Sequence, residues 1–543
     1  MLNSLHVLFA FIAFMAFGYL SLLRLLFNRQ TTGEANFISG LLNALKDPKM
    51  VRNLGSSAFF VSLPATALLL FWGWGPALIW LATFHFLIES IYQLQYSIQK
   101  EGASIADHLL RSSSGIKAML EQGLIQVFFL LAMAVVVALV ATLLDRQPGL
   151  LFALVFLLPA RKLLSHSSNA IPIYLKALGA IGLLATGLAF SDQLGFSVYG
   201  DWAPFGQMLP WFVFNMPTLI AAILVVAVFK LEGDRGFKQD LSLFAGAIIM
   251  ILVVAMLVKL AWLQPILDAP LNSGSSGHES LPVFIGLSLF VFAGFAAFLV
   301  RILNEEENDE QHSKYRYGRL QGASLVHTIY MALLVVSLAS ALGIGAWKTH
   351  FVEWSSALDI LNYLNLAISS NLNLIYADAS SGTLLHTILL AALCFTGFSF
   401  LLMCANQLTV EEADTETVFS LVIEAKILQA IGIFIVSAYF IGNGISINVW
   451  LLIGILAWVL FSHLAIGMCL ASDVNPAYSV LTILIAVAGI LQTIAVTITW
   501  LAEGNYLLPI FSFIILAMTI FLWMPDAMKL FKAAGKDEKP DFL

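Results

Sequence analysis

His85 and Glu89 stand four residues apart in WGWGPALIWLATFHFLIESIYQLQYSIQKEGASIAD, residues 72–107. In a helix this spacing puts an imidazole and a carboxylate on one face. Such a pair can hold or pass a proton, and an ionisable pair within a membrane span points to a functional site. An isolated carboxylate at the bilayer centre costs about 3 kcal/mol on insertion scales. Glu89 must therefore face the interior of a helix bundle and be paired, hydrated or protonated, with His85 as its natural partner. The same two residues would also serve as a polar clamp between helices, with Glu89 wetted near the inner boundary. The residues alone leave both readings open.

Other ionisable residues inside apolar runs are few. His327 and His463 read first as hydrogen-bonding groups at helix contacts, and His327 is kept as a pathway candidate. His386 and Lys259 fall near the outer face, where a lysine can reach the interface. Two histidines and a glutamate at these spacings match no metal motif, so no metal or cofactor is expected. Two prolines add a second kind of candidate. Ser62-Leu63-Pro64 and Asn215-Met216-Pro217 lie in apolar runs, and each proline removes a backbone donor and frees a carbonyl. Interrupted helices of that kind bind solutes in transporters. Taken singly, each proline also reads as a simple kink. Asn215 beside Pro217 is the more site-like pair, because a polar side chain adjoins freed backbone.

The elements that must position these residues are membrane helices. The chain has 543 residues, is 60% hydrophobic and is only 11% charged. Soluble domains carry roughly 25% charged residues. The apolar runs are about 20 residues long and do not alternate, which predicts helices and excludes a barrel. The expected fold is therefore all-α, a polytopic helical membrane protein. About fifteen spans fall near 5–27, 56–72, 76–98, 123–144, 149–163, 172–190, 209–229, 241–262, 281–303, 322–345, 383–405, 427–444, 449–470, 478–501 and 506–524. Residues 1–530 form one transmembrane domain and 531–543 a cytoplasmic tail. The N-terminal run has no basic region and no small-residue cleavage site, and reads as a retained first span.

Charge orients the spans. With the N-terminus outside and the C-terminus inside, all but three of the 26 basic residues flank cytoplasmic ends; the exceptions are Arg146, Lys259 and Lys348. A wrong span count would scramble this bias. Residues 304–320 read as a solvated cytoplasmic linker. Residues 409–418 read as a helix start, with Thr409 as cap and Glu411 and Glu412 in the first turn. The long outer loop 346–382 reads as an interfacial helix. Cys394, Cys404 and Cys469 have no metal spacing and give no disulfide framework. The net charge of −7, with no basic cluster away from the membrane flanks, argues against nucleic acid. No G-x-S-x-G, P-loop or H-E-x-x-H motif is present, which argues against an enzyme.

Gly73-Trp74-Gly75-Pro76-Ala77-Leu78-Ile79-Trp80, followed by Ser97 and Lys100-Glu101-Gly102-Ala103-Ser104-Ile105-Ala106-Asp107, resembles the carbon starvation protein CstA family. Members carry a similar run, GWGPALLW, then HDF, then S-x-R-x-x-G-x-S-I-G-E. Weaker likeness continues at Ser280–Phe284, Phe292–Phe295, Tyr317-Gly318 and Trp450–Leu470, so the CstA-like region covers about 50–500. The resemblance implies a secondary transporter for peptides or pyruvate in a bacterial inner membrane, coupled to protons or ions, with a core similar to the LeuT-like inverted repeat. Its partners would be a small solute, protons and the bilayer. The match departs from the family where the site should be. The paired histidines expected before the GWGP turn are absent from Arg52–Pro64. The family's acidic residue aligns with Ser90, and Glu89 sits one place earlier, turned by about 100° on a helix. Two functions therefore stand side by side: a diverged transporter, and a non-transporting scaffold or sensor on the same framework.

Overall fold

The computed structural model describes residues 116–146, 170–193, 216–232, 235–258, 329–335, 380–407, 416–443 and 506–534, with single positions within 51–58, 449–459 and 487–504. Every regular element among them is helical. In chain order they are α1 (Ile116–Arg146), α2 (Ala170–Gln193), α3 (Met216–Leu231), α4 (Arg235–Val258), α5 (Ser380–Gln407), α6 (Glu416–Asn443) and α7 (Leu507–Ala534). Four stretches are long and apolar enough to cross a membrane: Gly123–Asp145, Gly236–Ala255, Lys426–Asn443 and Leu507–Lys529. Shorter apolar helices cover Ile173–Thr186, Met216–Leu231 and Ala391–Ala405.

Two helices form the centre. In α1 the run from Ala132 to Leu144 is buried almost continuously, and in α5 the run from Ala391 to Ala405 is buried throughout. Small side chains recur in both, alanine and valine in α1 and alanine and cysteine in α5, and a helix buried all round needs no polar stripe. α1 packs against α3, α5 and α6, with a lesser contact to α7. α4 lies between α5 and α2. Phe244 of α4 meets Phe395 of α5 with ring centroids 5.8 Å apart. The Tyr174 hydroxyl of α2 donates to the Met250 sulfur of α4 at 3.2 Å.

Glycine permits the tightest crossing among the described residues. A Cβ on Gly55 would collide with the Ser242 carbonyl oxygen and come within 2.7 Å of the Gly246 nitrogen. A Cβ on Gly246 would collide with the Val51 carbonyl oxygen. Small residues spaced four apart let helix backbones touch, and this is how membrane helices gain contact without a hydrophobic drive between them. Val51, Leu54 and Ala58 are fully buried around this crossing.

The periphery is the opposite. α6 exposes Ile427, Leu428, Ile431, Ile435 and Tyr439, and α7 exposes Leu507, Ile510, Phe511, Phe513, Ile514 and Phe521. Apolar surface this extensive is of the kind that faces lipid or a protein partner.

The helices run further than the apolar runs that announce them. α1 begins at Ile116, ahead of the expected 123. α4 begins at Arg235, ahead of the expected 241. α6 begins at Glu416, ahead of the expected 427. α7 continues through Pro525 to Ala534, although the apolar run stops at 524. Hydropathy marks where side chains leave the apolar core, whereas a helix ends where its backbone bonding ends. A proline within a helix costs one backbone bond, which this helix tolerates near its end. The Thr409 cap with Glu411 and Glu412, the loop at 304–320, residues 346–379 of the expected outer loop, and Cys469 lie outside the described residues, while residues 380–382 of that loop are already helical in α5.

Candidate functional site

One cluster of polar groups in this largely apolar bundle lies at the junction of α1, α3 and α6. Glu232 follows the last residue of α3 and is only 6% exposed. Its Oε1 accepts from the Lys426 ammonium of α6. Its Oε2 is buried and has no hydrogen-bond partner among the described residues. Three residues along α6, on the same face as Lys426, the Gln429 side-chain amide donates to Gln126 Oε1 of α1. Gln429 Oε1 is likewise buried and unpartnered among the described residues.

Local sequence explains why these groups meet. The run MPTLIAAILVVAVFKL carries α3 to Leu231, Glu232 follows it, and α4 begins at Arg235. Glu232 is buried at this end of α3, where Lys426 of α6 meets it. Lys426 opens the apolar part of α6, with a side chain about one-third exposed, and its long stem lets the ammonium reach inward. Just beyond Gln429, Gly432 packs under Leu130 of α1, whose Cδ1 lies 2.9 Å from where a glycine Cβ would stand. That contact holds α6 against α1 at the level of the two glutamines.

A second polar group lies between α4 and α5. The Ser242 hydroxyl donates to the Lys238 carbonyl at 2.9 Å and also pairs with the Ser399 hydroxyl. Lys238 is only 2% exposed. At the far end of α1, Lys117 donates to Asp526 of α7 at 2.9 Å, and Lys529 donates to the other carboxylate oxygen at 3.1 Å. Most remaining buried hydroxyls bond within their own helix, as Thr396 does to the Leu393 carbonyl and Thr519 to the Ile515 carbonyl. Among the described residues, no group of three His, Cys, Asp or Glu could hold a metal ion.

Of the residues singled out from the sequence, His85, Glu89, Ser90, Pro64, Asn215 and His327 lie outside the described residues, as do His463 and Lys259. Pro217 is described. It is the second described residue of α3 and is half-buried. The residues that precede Met216 lie outside the described residues. His386 lies in α5 near its start. Cys394 and Cys404 are free thiols buried in α5.

Glu232, Lys426, Gln126 and Gln429 are absent from the candidates that the sequence suggests. Glu232 sits in KLEGDRGFKQD, which reads as a charged cytoplasmic loop, and Lys426 reads as a flank of the next span. Lys238 belongs to the same charged stretch and is instead buried in the first turns of α4. The signal in the sequence is the amide inside an apolar run: Gln126 in GLIQVFF and Gln429 in KILQAIG. Amides in membrane helices tend to bond across helices.

No family model matches the chain, and no curated protein matches it.

Proposed function

We propose that the chain is a secondary transporter of the inner membrane, a diverged relative of the CstA family, that takes up a small organic solute such as a peptide or pyruvate together with protons. The reading includes about fifteen spans around a LeuT-like core, an outer N-terminus and a cytoplasmic C-terminus, and no enzymatic step. One observation carries it. An ion pair, Glu232 with Lys426, joins α3 to α6 within a largely apolar bundle, its carboxylate buried and its lysine side chain about one-third exposed. Charged groups in membrane proteins are expensive, face the bundle interior, and mark solute and ion paths. The topology read from charge has support of the same kind. It assigns Lys117, Glu232, Lys426 and Asp526 to cytoplasmic ends, and these four residues form two ion pairs, Lys117 with Asp526 and Lys426 with Glu232.

The test is uptake by the full chain in proteoliposomes, with labelled pyruvate and with small peptides, with and without an inward proton gradient. Gradient-stimulated uptake of either is expected. A folded protein that takes up neither under both conditions overturns transport of these solutes and favours the scaffold or sensor reading.

A further inference from the structure

We propose that the end of α7, together with the start of α1, binds the headgroup of an anionic phospholipid, its phosphate held by Lys529 and Lys532 and its acyl chain lying along the apolar face of α7. This goes beyond the transport reading and does not depend on it.

One carboxylate draws two ammonium groups together here. Lys117 donates to Asp526 Oδ2 at 2.9 Å, and Lys529 donates to Oδ1 at 3.1 Å. An ammonium has three N–H donors and no acceptor, so each keeps donors for a further anion. The cluster sets two positive charges against one negative. Lys532, exposed one turn beyond Lys529, adds another positive charge. The Lys529 side chain is 61% exposed. The excess charge is therefore turned outward.

Position gives this charge its partner. The apolar stretch of α1 starts at Gly123 and that of α7 ends at Lys529. The Lys117–Asp526 pair brings these two ends to one level, where hydrocarbon gives way to headgroups. Along α7, Ile510, Ile514, Phe521, Met524 and Met528 are exposed. Steps of four, seven, three and four residues keep them on one helical face. Lys532 follows four residues after Met528 on that same face. An apolar stripe that runs along a span and ends in cations offers an acyl chain and its phosphate one continuous surface. Anionic headgroups attract lysines placed at this level. A soluble acidic partner would meet the lysines alone and leave the stripe uncovered. The helix dipole also favours a lysine in the last turn, but it calls for no exposed apolar stripe leading up to it.

The experiment is native mass spectrometry of the full chain, purified in a non-ionic detergent and given equal amounts of phosphatidylglycerol and phosphatidylcholine with the same acyl chains. Wild type is expected to retain phosphatidylglycerol in preference. A lysine beside an anionic headgroup is worth about fivefold in binding, so Lys529→Gln and Lys532→Gln should each lower the preference by about that factor. Lys532→Arg keeps the charge and should keep the preference. Lys230→Gln removes another exposed lysine, at the end of α3, and should leave the preference unchanged. Equal retention of the two lipids by wild type overturns the proposal, as does a preference that survives both Lys529→Gln and Lys532→Gln. An equal loss in Lys230→Gln also overturns it, since that would show diffuse attraction to net charge. So does retention of added inorganic phosphate in place of the lipid.

Discussion

Lys117 and Asp526 are separated by 409 residues of chain, yet their side chains meet at 2.9 Å. The pair ties the first turn of α1 to the last turns of α7, and Lys529 grips the same carboxylate from within α7. Both partners of the long-range pair are only partly exposed. Among the described residues little else joins these two helices. Asp526→Asn is expected to cost about 1 kcal/mol, the upper range for exposed pairs. Lys117→Met should cost a similar amount, and the double variant little more than either. Thermal unfolding of the detergent-solubilised protein at low and high salt checks this, since a screened pair should lose its coupling in salt. Additive costs would show that the two residues act independently.

The Glu232–Lys426 pair should respond asymmetrically. Lys426→Met leaves a carboxylate in a nearly closed site, and removing one partner of a buried pair costs about 3–5 kcal/mol. Glu232→Gln keeps the shape and leaves an ammonium that can turn to water, so it should cost about 1 kcal/mol. Equilibrium unfolding of the two variants side by side measures the difference. Equal costs would mean that Lys426 is as confined as its partner.

The crossing at Gly55 and Gly246 leaves no room for a methyl group, because the obstructing atoms are backbone. Gly246→Ala should destabilise by about 1–3 kcal/mol, as overpacking does. At Gly123 and Gly179 no neighbouring atom lies within 4 Å of where a Cβ would stand. Alanine at either should be neutral or should stabilise by up to about 1 kcal/mol through helix propensity. Melting temperatures of the three single variants distinguish a specific crossing from a general intolerance of alanine.

Gly504 has φ of 76° and donates its N–H to the Leu501 carbonyl at 3.1 Å, closing the turn that leads into α7. No neighbour blocks a methyl group there, so any cost of Gly504→Ala comes from backbone conformation alone. About 1–2 kcal/mol is expected. Gly504→Asn, which tolerates this conformation better, should recover part of it in the same unfolding measurement.

The local part of this architecture is legible in the amino-acid order. Hydropathy at 123–144, 241–262, 427–444 and 506–524 anticipates the four helices that are apolar and long enough to span, and the runs at 172–190, 209–229 and 383–405 anticipate α2, α3 and α5. This works because a backbone without water must satisfy itself within one segment, so the helix follows from composition over about 20 residues. Helix ends are less legible: Arg235 and Glu416 belong to helices although their side chains are polar. The polar junction emerges only when the helices pack. Glu232 and Lys426 are 194 residues apart, and each looks locally like an ordinary charged flank. Gln126 and Gln429 are 303 residues apart, and their shared face exists only once α6 lies along α1. Burial of a charge is a property of what closes over it, and helices distant in sequence do the closing here.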